Sequence, residues 1–219
     1  MKKIYILLVV LFLCLFNKSV DAKKYYDSTS NEIFLTFDDG YSLKNTKEIF
    51  KICEAKKVPV TFFVHGDFLE SCQTMIKTIA SSKYASIGCH TVTHKDITKM
   101  THRELEKDIL KYEAIYTKIT GKLLPKYFRP PMGLINNEQE LLIESMGYKI
   151  IMWNVSYYDY NYQLDKGLSY VLTNLKTQTK PGSIILMHTM LNSNVKALPL
   201  FIDYAKSAGY VFQSLDNLK

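Results

Sequence analysis

The 219-residue sequence predicts an α/β fold, a distorted (β/α) barrel of about seven strands. Three observations point there. Short β-branched and aromatic stretches alternate about seven times with longer stretches of helical period, the pattern of a parallel sheet with crossover helices. No linker, internal repeat or low-complexity stretch divides the chain. Residues able to do chemistry recur at the C-terminal ends of the predicted strands, the face on which such barrels carry their sites.

The first strand is Glu32 to Phe37, followed by Asp38-Asp39 and punctuated by Gly40. Lys44 to Lys56 reads as a helix with Ile49, Phe50 and Ile52 on its apolar face. Val58 to Val64 is the second strand, and Asp67 reads as the cap of a helix over Phe68 to Ala80. Ser86 to Cys89 is a short buried strand delivering His90. Thr101-His-Arg-Glu104 has capping-box spacing and opens a long helix to about Ile119, stopped by Gly121. Tyr127 to Arg129 is a strand cut off by Pro130-Pro131. Asn136 starts a helix ending at Gly147; Tyr148 to Trp153 is a strand; Leu164 to about Gln178 is helical. Ser183 to Met187 is a strand ending at His188, Val195 to Ser207 is the last long helix, and Tyr210 to Phe212 is a final strand.

Composition is globular, 47% hydrophobic and 22% charged, enough for one domain with a real core. Residues 1–22 read as a signal peptide or N-terminal anchor: Lys2-Lys3, the apolar run Ile4 to Phe16, then the small-x-small site Val20-Asp21-Ala22. Residues 23–219 form the catalytic domain of the expectation, placed outside the cytoplasmic membrane, released or tethered. Large Phe12 and Leu13 make Cys14 a poor lipidation site. The formal charge is +7, or +5 once residues 1–22 are removed, which suits an anionic polymer such as bacterial cell wall. The charge is spread out, without an Arg-rich run, so nucleic acid is not expected. Beyond the leader, Cys53, Cys72 and Cys89 are too few for a disulfide framework; whether Cys53 and Cys72 pair is open.

Two adjacent carboxylates at a strand end repel each other and cost desolvation unless a positive charge sits with them. His90 and His94, four residues apart in Cys89-His-Thr-Val-Thr-His94, supply two ligands for a metal ion, and the Asp38-Asp39 pair a third. Arg129, between Phe128 and two prolines, sits oddly for a solvated side chain, and His188 ends an apolar run. His65 and His102 read as structural.

Thr36-Phe-Asp-Asp-Gly40, His90-Thr-Val-Thr-His94, Arg129-Pro-Pro-Met-Gly133, Trp153 through Asp159-Tyr160, and Leu186-Met-His188 resemble, in order, the five motifs of the polysaccharide deacetylases, the carbohydrate esterase family 4 or NodB-homology domain. The resemblance runs from about residue 32 to the C-terminus. Lys57 to Gly66, Pro181 to His188 and Gly209 to Asp216 are most similar to the members that make muramic δ-lactam in spore cortex peptidoglycan.

The resemblance implies a metal-dependent N-deacetylase acting on N-acetylmuramic acid of a peptidoglycan strand; no protein partner is inferred, and a monomer is the expectation. It assigns Asp39, His90 and His94 to a divalent ion, zinc by default, and Asp38 as general base. Arg129 holds that base, His188 is the general acid, and Asp159 orients it. Met132 offers its backbone N–H to the oxyanion; Tyr160 and Leu186 line the acetyl pocket. Tyr160 stands where the family commonly has Trp, Met132 where many glucosamine-type members have Tyr, and Asp39 where some δ-lactam members have Asn. The alternatives are an N-acetylglucosamine deacetylase and a catalytically inactive glycan-binding domain. A ferrous oxygenase would share the ligand set, but the βα alternation and Asp38 argue against it.

Overall fold

The computed structural model describes residues 30–218. The predicted leader lies outside the described residues. In those residues no helix is long and apolar enough to cross a membrane. Seven parallel strands form one sheet: β1 (Glu32–Asp39), β2 (Val60–Val64), β3 (Ala85–Cys89), β4 (Tyr127–Phe128), β5 (Lys149–Ile150), β6 (Ile184–His188) and β7 (Val211–Phe212). Their order is β5-β4-β3-β2-β1-β6, with β7 pairing the start of β1. The sheet curls toward closure. After β5 the chain leaves β4 and bridges β6, Val155 opposite Ile185. The helices are α1 (Leu43–Lys56), α2 (Gly66–Ser71), α3 (Gln73–Ser81), α4 (His102–Thr120), α5 (Asn137–Ser145), α6 (Gly167–Gln178) and α7 (Asn192–Ser207).

The pleat divides the strand residues between two cores. Ile33, Leu35 and Phe37 of β1 join Phe62 and Val64 of β2 and Ile185 and Met187 of β6 in the large core with the helices. Phe34, Phe63 and Ile184 face the other way, into a small apolar plug with Tyr127, Ile151, Leu215 and Leu218. Thr36 and Asp38 share the parity of Phe34, and Leu186 and His188 that of Ile184, so the polar site continues the inward face beyond the plug. Burial on both faces is why β1 reads as a continuous apolar run.

Several boundaries differ from expectation, among them a last helix that begins at Asn192 rather than Val195. The helix predicted over Phe68 to Ala80 is two, broken at Cys72, whose φ of −115° and ψ of 36° are not helical. His65, not Asp67, is the N-cap of α2, and Asp67 lies in its first turn. β5 ends at Ile150 rather than Trp153, because residues beyond it turn to reach β6. Leu164 belongs to a separate 3₁₀ turn, and α6 begins at Gly167. The Thr101 capping box on α4 forms as expected.

Candidate active site

The register of β1 on β6 pairs Asp38 with His188, and Thr36 with Leu186. His90 follows β3 and Arg129 follows β4, and Arg129 N–H donates to the Cys89 carbonyl. Four chain segments distant in sequence therefore meet at one end of the sheet.

Arg129 is completely buried, its guanidinium 4.1 Å from the ring of Phe63 and 5.5 Å from that of Trp153. Each arm has a partner. Nη1 donates to Asp38 Oδ1 (2.8 Å), Nη2 to Thr36 Oγ1 (2.9 Å), and Nε to the Ile151 carbonyl (2.9 Å). Thr36 is fixed in turn by its hydroxyl, which donates to the Ile185 carbonyl at 2.6 Å. A rigid fork of this kind sets both the position and the charge of a carboxylate. Burial pushes Asp38 up, but Arg129, with His90 and His188, outweighs it and holds the carboxyl below its usual range.

His90 Nδ1–H donates to the Arg129 carbonyl at 2.8 Å, leaving Nε2 as the free nitrogen, 3.6 Å from Asp38 Oδ2. Burial brings His90 down to about 4, and burial also lowers His94. Both rings are thus neutral at physiological pH, 4.8 Å apart edge-to-face. Neutral imidazole with its second nitrogen held by a carbonyl is what a metal ligand requires.

The two aspartates part company. Successive strand residues point to opposite sides, and Asp39, fully buried, turns to α1 and the segment after β6. Oδ1 accepts from Thr189 (2.7 Å), the Gly40 N–H (2.7 Å) and Thr46 (2.8 Å); Oδ2 accepts from Thr46 alone (3.0 Å). Burial raises Asp39 to about 6, with Asp38 adding to the rise. Among the described residues no three His, Cys, Asp or Glu side chains cluster closely enough to hold an ion. The donor chemistry nonetheless fits one. Two neutral imidazoles stand beside Asp38, which already has Arg129, while Asp39, across the pleat, has hydroxyl and amide donors but no cation among the described residues.

On the opposite wall His188 Nδ1–H donates to Asp159 Oδ1 at 2.7 Å. Asp159 Oδ2 accepts from the His188 N–H (2.8 Å) and from Asn194 Nδ2 (2.7 Å), and Asn194 Oδ1 accepts from Tyr157 OH (2.8 Å). Burial lowers His188, but the hydrogen bond and charge of Asp159, with Asp38, prevail and leave it raised. Asp159 is not at a strand end as expected; it lies nine residues beyond β5, on the long connection that closes the sheet.

Between these walls is a cavity of about 430 Å³ lined by Asp38, His94, Met132, Tyr160, Leu186 and His188, among others. Leu186 is buried and forms its floor, whereas Tyr160 is 55% exposed, with its ring 5.8 Å from His188 at the rim. Met132 is held at φ +57°, the left-handed region that a non-glycine residue enters at a cost of about 1 kcal/mol or more. The structure thus brings Asp38, His90, His94, Arg129, Met132, Asp159, Tyr160, Leu186 and His188 to one site and sets Asp39 behind the strand that carries Asp38. His65, read as structural, packs at this end, 6.0 Å from His94 and 5.6 Å from Tyr41 between ring centres. Thr36 and Tyr157 lie inside quoted motifs without an assigned role, and Thr46, Thr189 and Asn194 stand out in none: each is an ordinary residue type in its own stretch, and only its buried partners identify it.

A polysaccharide deacetylase family profile matches residues 26–151. The peptidoglycan-N-acetylmuramic acid deacetylase PdaA of Bacillus subtilis is 32% identical over 186 residues, 85% of this chain and 70% of its own. A peptidoglycan-N-acetylglucosamine deacetylase of Bacillus cereus is 32% identical over 193 residues, 85% of this chain and 68% of its own. The solved structure of Bacillus subtilis PdaA, described as a family 4 carbohydrate esterase, superposes with a TM-score of 0.84 at 31% identity, covering 89% of this chain and 82% of the other. The chain belongs to the polysaccharide deacetylase family, carbohydrate esterase family 4, and is a deacetylase-type hydrolase with the half-barrel of that family.

Proposed function

We propose that the chain is a metal-dependent peptidoglycan N-deacetylase that removes the acetyl group of N-acetylmuramic acid, the step that leads to muramic δ-lactam in spore cortex. The observation that carries this reading is the facing pair of polar systems across one small cavity: Asp38 bound by Arg129, which favours its carboxylate, and His188 bound by Asp159, which favours its protonated form. Amide hydrolysis needs both, a base for water and an acid for the departing amine.

His90 and His94 would hold a divalent ion, by default zinc, and Asp39 would complete the set on turning from Thr46 and Thr189 toward them. Bound there, the ion would supply an acidified water and polarise the amide carbonyl. Asp38 takes the water proton, and Arg129 keeps its carboxylate aimed and ionised. His188 delivers a proton through Nε2 to the amine nitrogen, because Nδ1 is engaged by Asp159. The Met132 N–H, presented by the left-handed turn after the two prolines, donates to the oxyanion. Leu186 floors a space for the acetyl methyl, and Tyr160 lines the same cavity at its rim.

Muramic acid differs from glucosamine by a lactyl carboxylate. A groove of about 610 Å³ adjoins the His90–His94 loop, lined by Thr93, Lys95, Lys99, Lys107 and Lys111 with Asp96, Glu104 and Asp108. Lys99 pairs with Asp96, whereas Lys107 and Lys111 have no carboxylate partner among the described residues. Unpaired ammonium groups in that groove favour an anionic strand. The working compartment on this reading is outside the cytoplasmic membrane, with the protein released or tethered and acting as a monomer.

Mass spectrometry of muropeptides tests it. Strands with and without stem peptides are incubated with zinc-loaded protein and with Asp38→Asn. Loss of one acetyl mass on muramic acid, abolished by the substitution, supports the reading. Loss on glucosamine alone keeps the chemistry and moves the substrate. No loss on any strand by metal-loaded protein refutes the enzymatic reading and leaves a glycan-binding domain.

A further inference from the structure

The loop from His90 to His94 has a backbone it would not choose alone. Thr91 lies at φ +64° and His94 at φ +49°. Neither is Gly or Asn, and Thr is β-branched, for which the left-handed region is a genuine outlier. Such a conformation persists only where its surroundings over-determine it.

The surroundings are specific. Asp108 of α4, buried to 7% exposure, accepts from the Val92 N–H through Oδ1 at 2.6 Å and from Thr93 Oγ1 through Oδ2 at 3.0 Å. Both bonds fall on the residues between the two left-handed positions. One helical turn on, Tyr112 OH donates to the carbonyls of Val64 (2.6 Å) and Gly88 (3.2 Å), tying α4 to β2 and β3. The carboxylate is therefore mounted on a helix locked to the strands that carry the site. Thr91 Oγ1 accepts from the His94 N–H at 2.9 Å, and the Thr91 carbonyl accepts from the Gly66 N–H at 3.2 Å. Of these restraints Asp108 is the charged one, and hydrogen bonds to an ionised acceptor are the stronger kind.

We infer that Asp108 is a positioning residue that holds the Val92–Thr93 backbone so that the His90 and His94 rings converge. It acts through the loop, without touching substrate. The inference rests on the metal reading of His90 and His94 proposed above.

Three variants of the full chain, freed of metal, test it: Asp108→Ala, Asp108→Asn and Thr93→Val. Folding is followed by thermal melting, ring geometry by ¹H–¹⁵N spectra of the histidines, and affinity by the visible absorption of added Co²⁺. In Asp108→Ala the His94 ring signals should move and Co²⁺ affinity should fall about 10-fold or more, the scale of losing an outer-shell partner. Asp108→Asn can still accept from Val92 N–H and donate to Thr93 Oγ1, so it should stay near wild type. A folded Asp108→Ala with wild-type ring signals and Co²⁺ affinity overturns the inference. If Asp108→Ala does not fold, Thr93→Val decides: unmoved rings and unchanged affinity overturn it, a partial loss supports it. Wild-type protein that binds no Co²⁺ refutes the metal reading instead, and the metal-free ring signals still decide on Asp108.

Discussion

Replacing Arg129 by Met would leave Asp38 in a site built for an ion pair. The side chain is wholly buried, and Asp38 is almost so. Methionine fills much of the volume against Phe63 but supplies none of the three bonds to Asp38, Thr36 and the Ile151 carbonyl. Breaking a buried pair from one side typically costs about 3–5 kcal/mol, because the remaining charge has no compensation. For a domain of this size each kcal/mol moves Tm by about 2–4 °C, so the expected drop is about 6–20 °C in metal-free protein. The sign with pH follows from Asp38. Its folded pKa is depressed, so its contribution is present above the unfolded carboxyl value and lost as pH falls through the folded one. Wild type and Arg129→Met should therefore converge in stability as the pH is lowered into that range. The assay is a double-mutant cycle by thermal and urea melting at neutral pH, with Asp38→Asn as the second substitution. Removing the stranded charge should recover much of the loss. If Arg129→Met costs the same in the Asp38→Asn background, within about 0.5 kcal/mol, the pair is not coupled. The account of Arg129 as the keeper of the Asp38 charge is then refuted.

Three further outcomes are expected. Asp159→Asn removes the groups that raise His188, so the alkaline limb of the pH–rate profile should move to lower pH, since the acid is lost as pH rises through its pKa; an unmoved limb would exclude His188 as the acid. Zinc titration by calorimetry separates the aspartates: Asp39→Asn should weaken binding while Asp38→Asn lowers the rate with affinity largely kept, and the reverse pattern would exchange their roles. Cys53, Cys72 and Cys89 are all free, and burial pushes the thiols of Cys53 and Cys89 well up, so a thiol reagent should modify Cys72 in the native protein and the other two only on unfolding; early labelling of all three by peptide mapping would contradict the packing.

The strand and helix alternation was legible because each element buries one face, and burial writes its period into the chain. β1, α4 and β6 stand where their patterns put them, and the capping box at Thr101 formed from its own four residues. Boundaries failed where distant contacts decide. Nothing local in Tyr148 to Trp153 tells the chain to quit β4 at Ile150 and cross to β6, and nothing local breaks the helix at Cys72. Within the site, Asp38, His90, Arg129 and His188 were legible as polar residues following apolar runs. Thr36, Thr46, Thr189, Tyr157 and Asn194 were not, since each is ordinary in its own stretch and matters for what it meets.

By itself the sequence determined the order of elements, the residue types of the site and the sheet end at which most of them lie, because periodicity and strand ends are properties of neighbours along the chain. Only the tertiary structure decided that Asp38 and Asp39 separate across the pleat, that one takes Arg129 and the other three uncharged donors, and that Asp159 reaches His188 from nine residues beyond its strand. The physical reason is that charge balance and hydrogen-bond saturation are set by groups brought together across distances of up to about 150 residues, from Asp39 to Thr189, which no local pattern encodes.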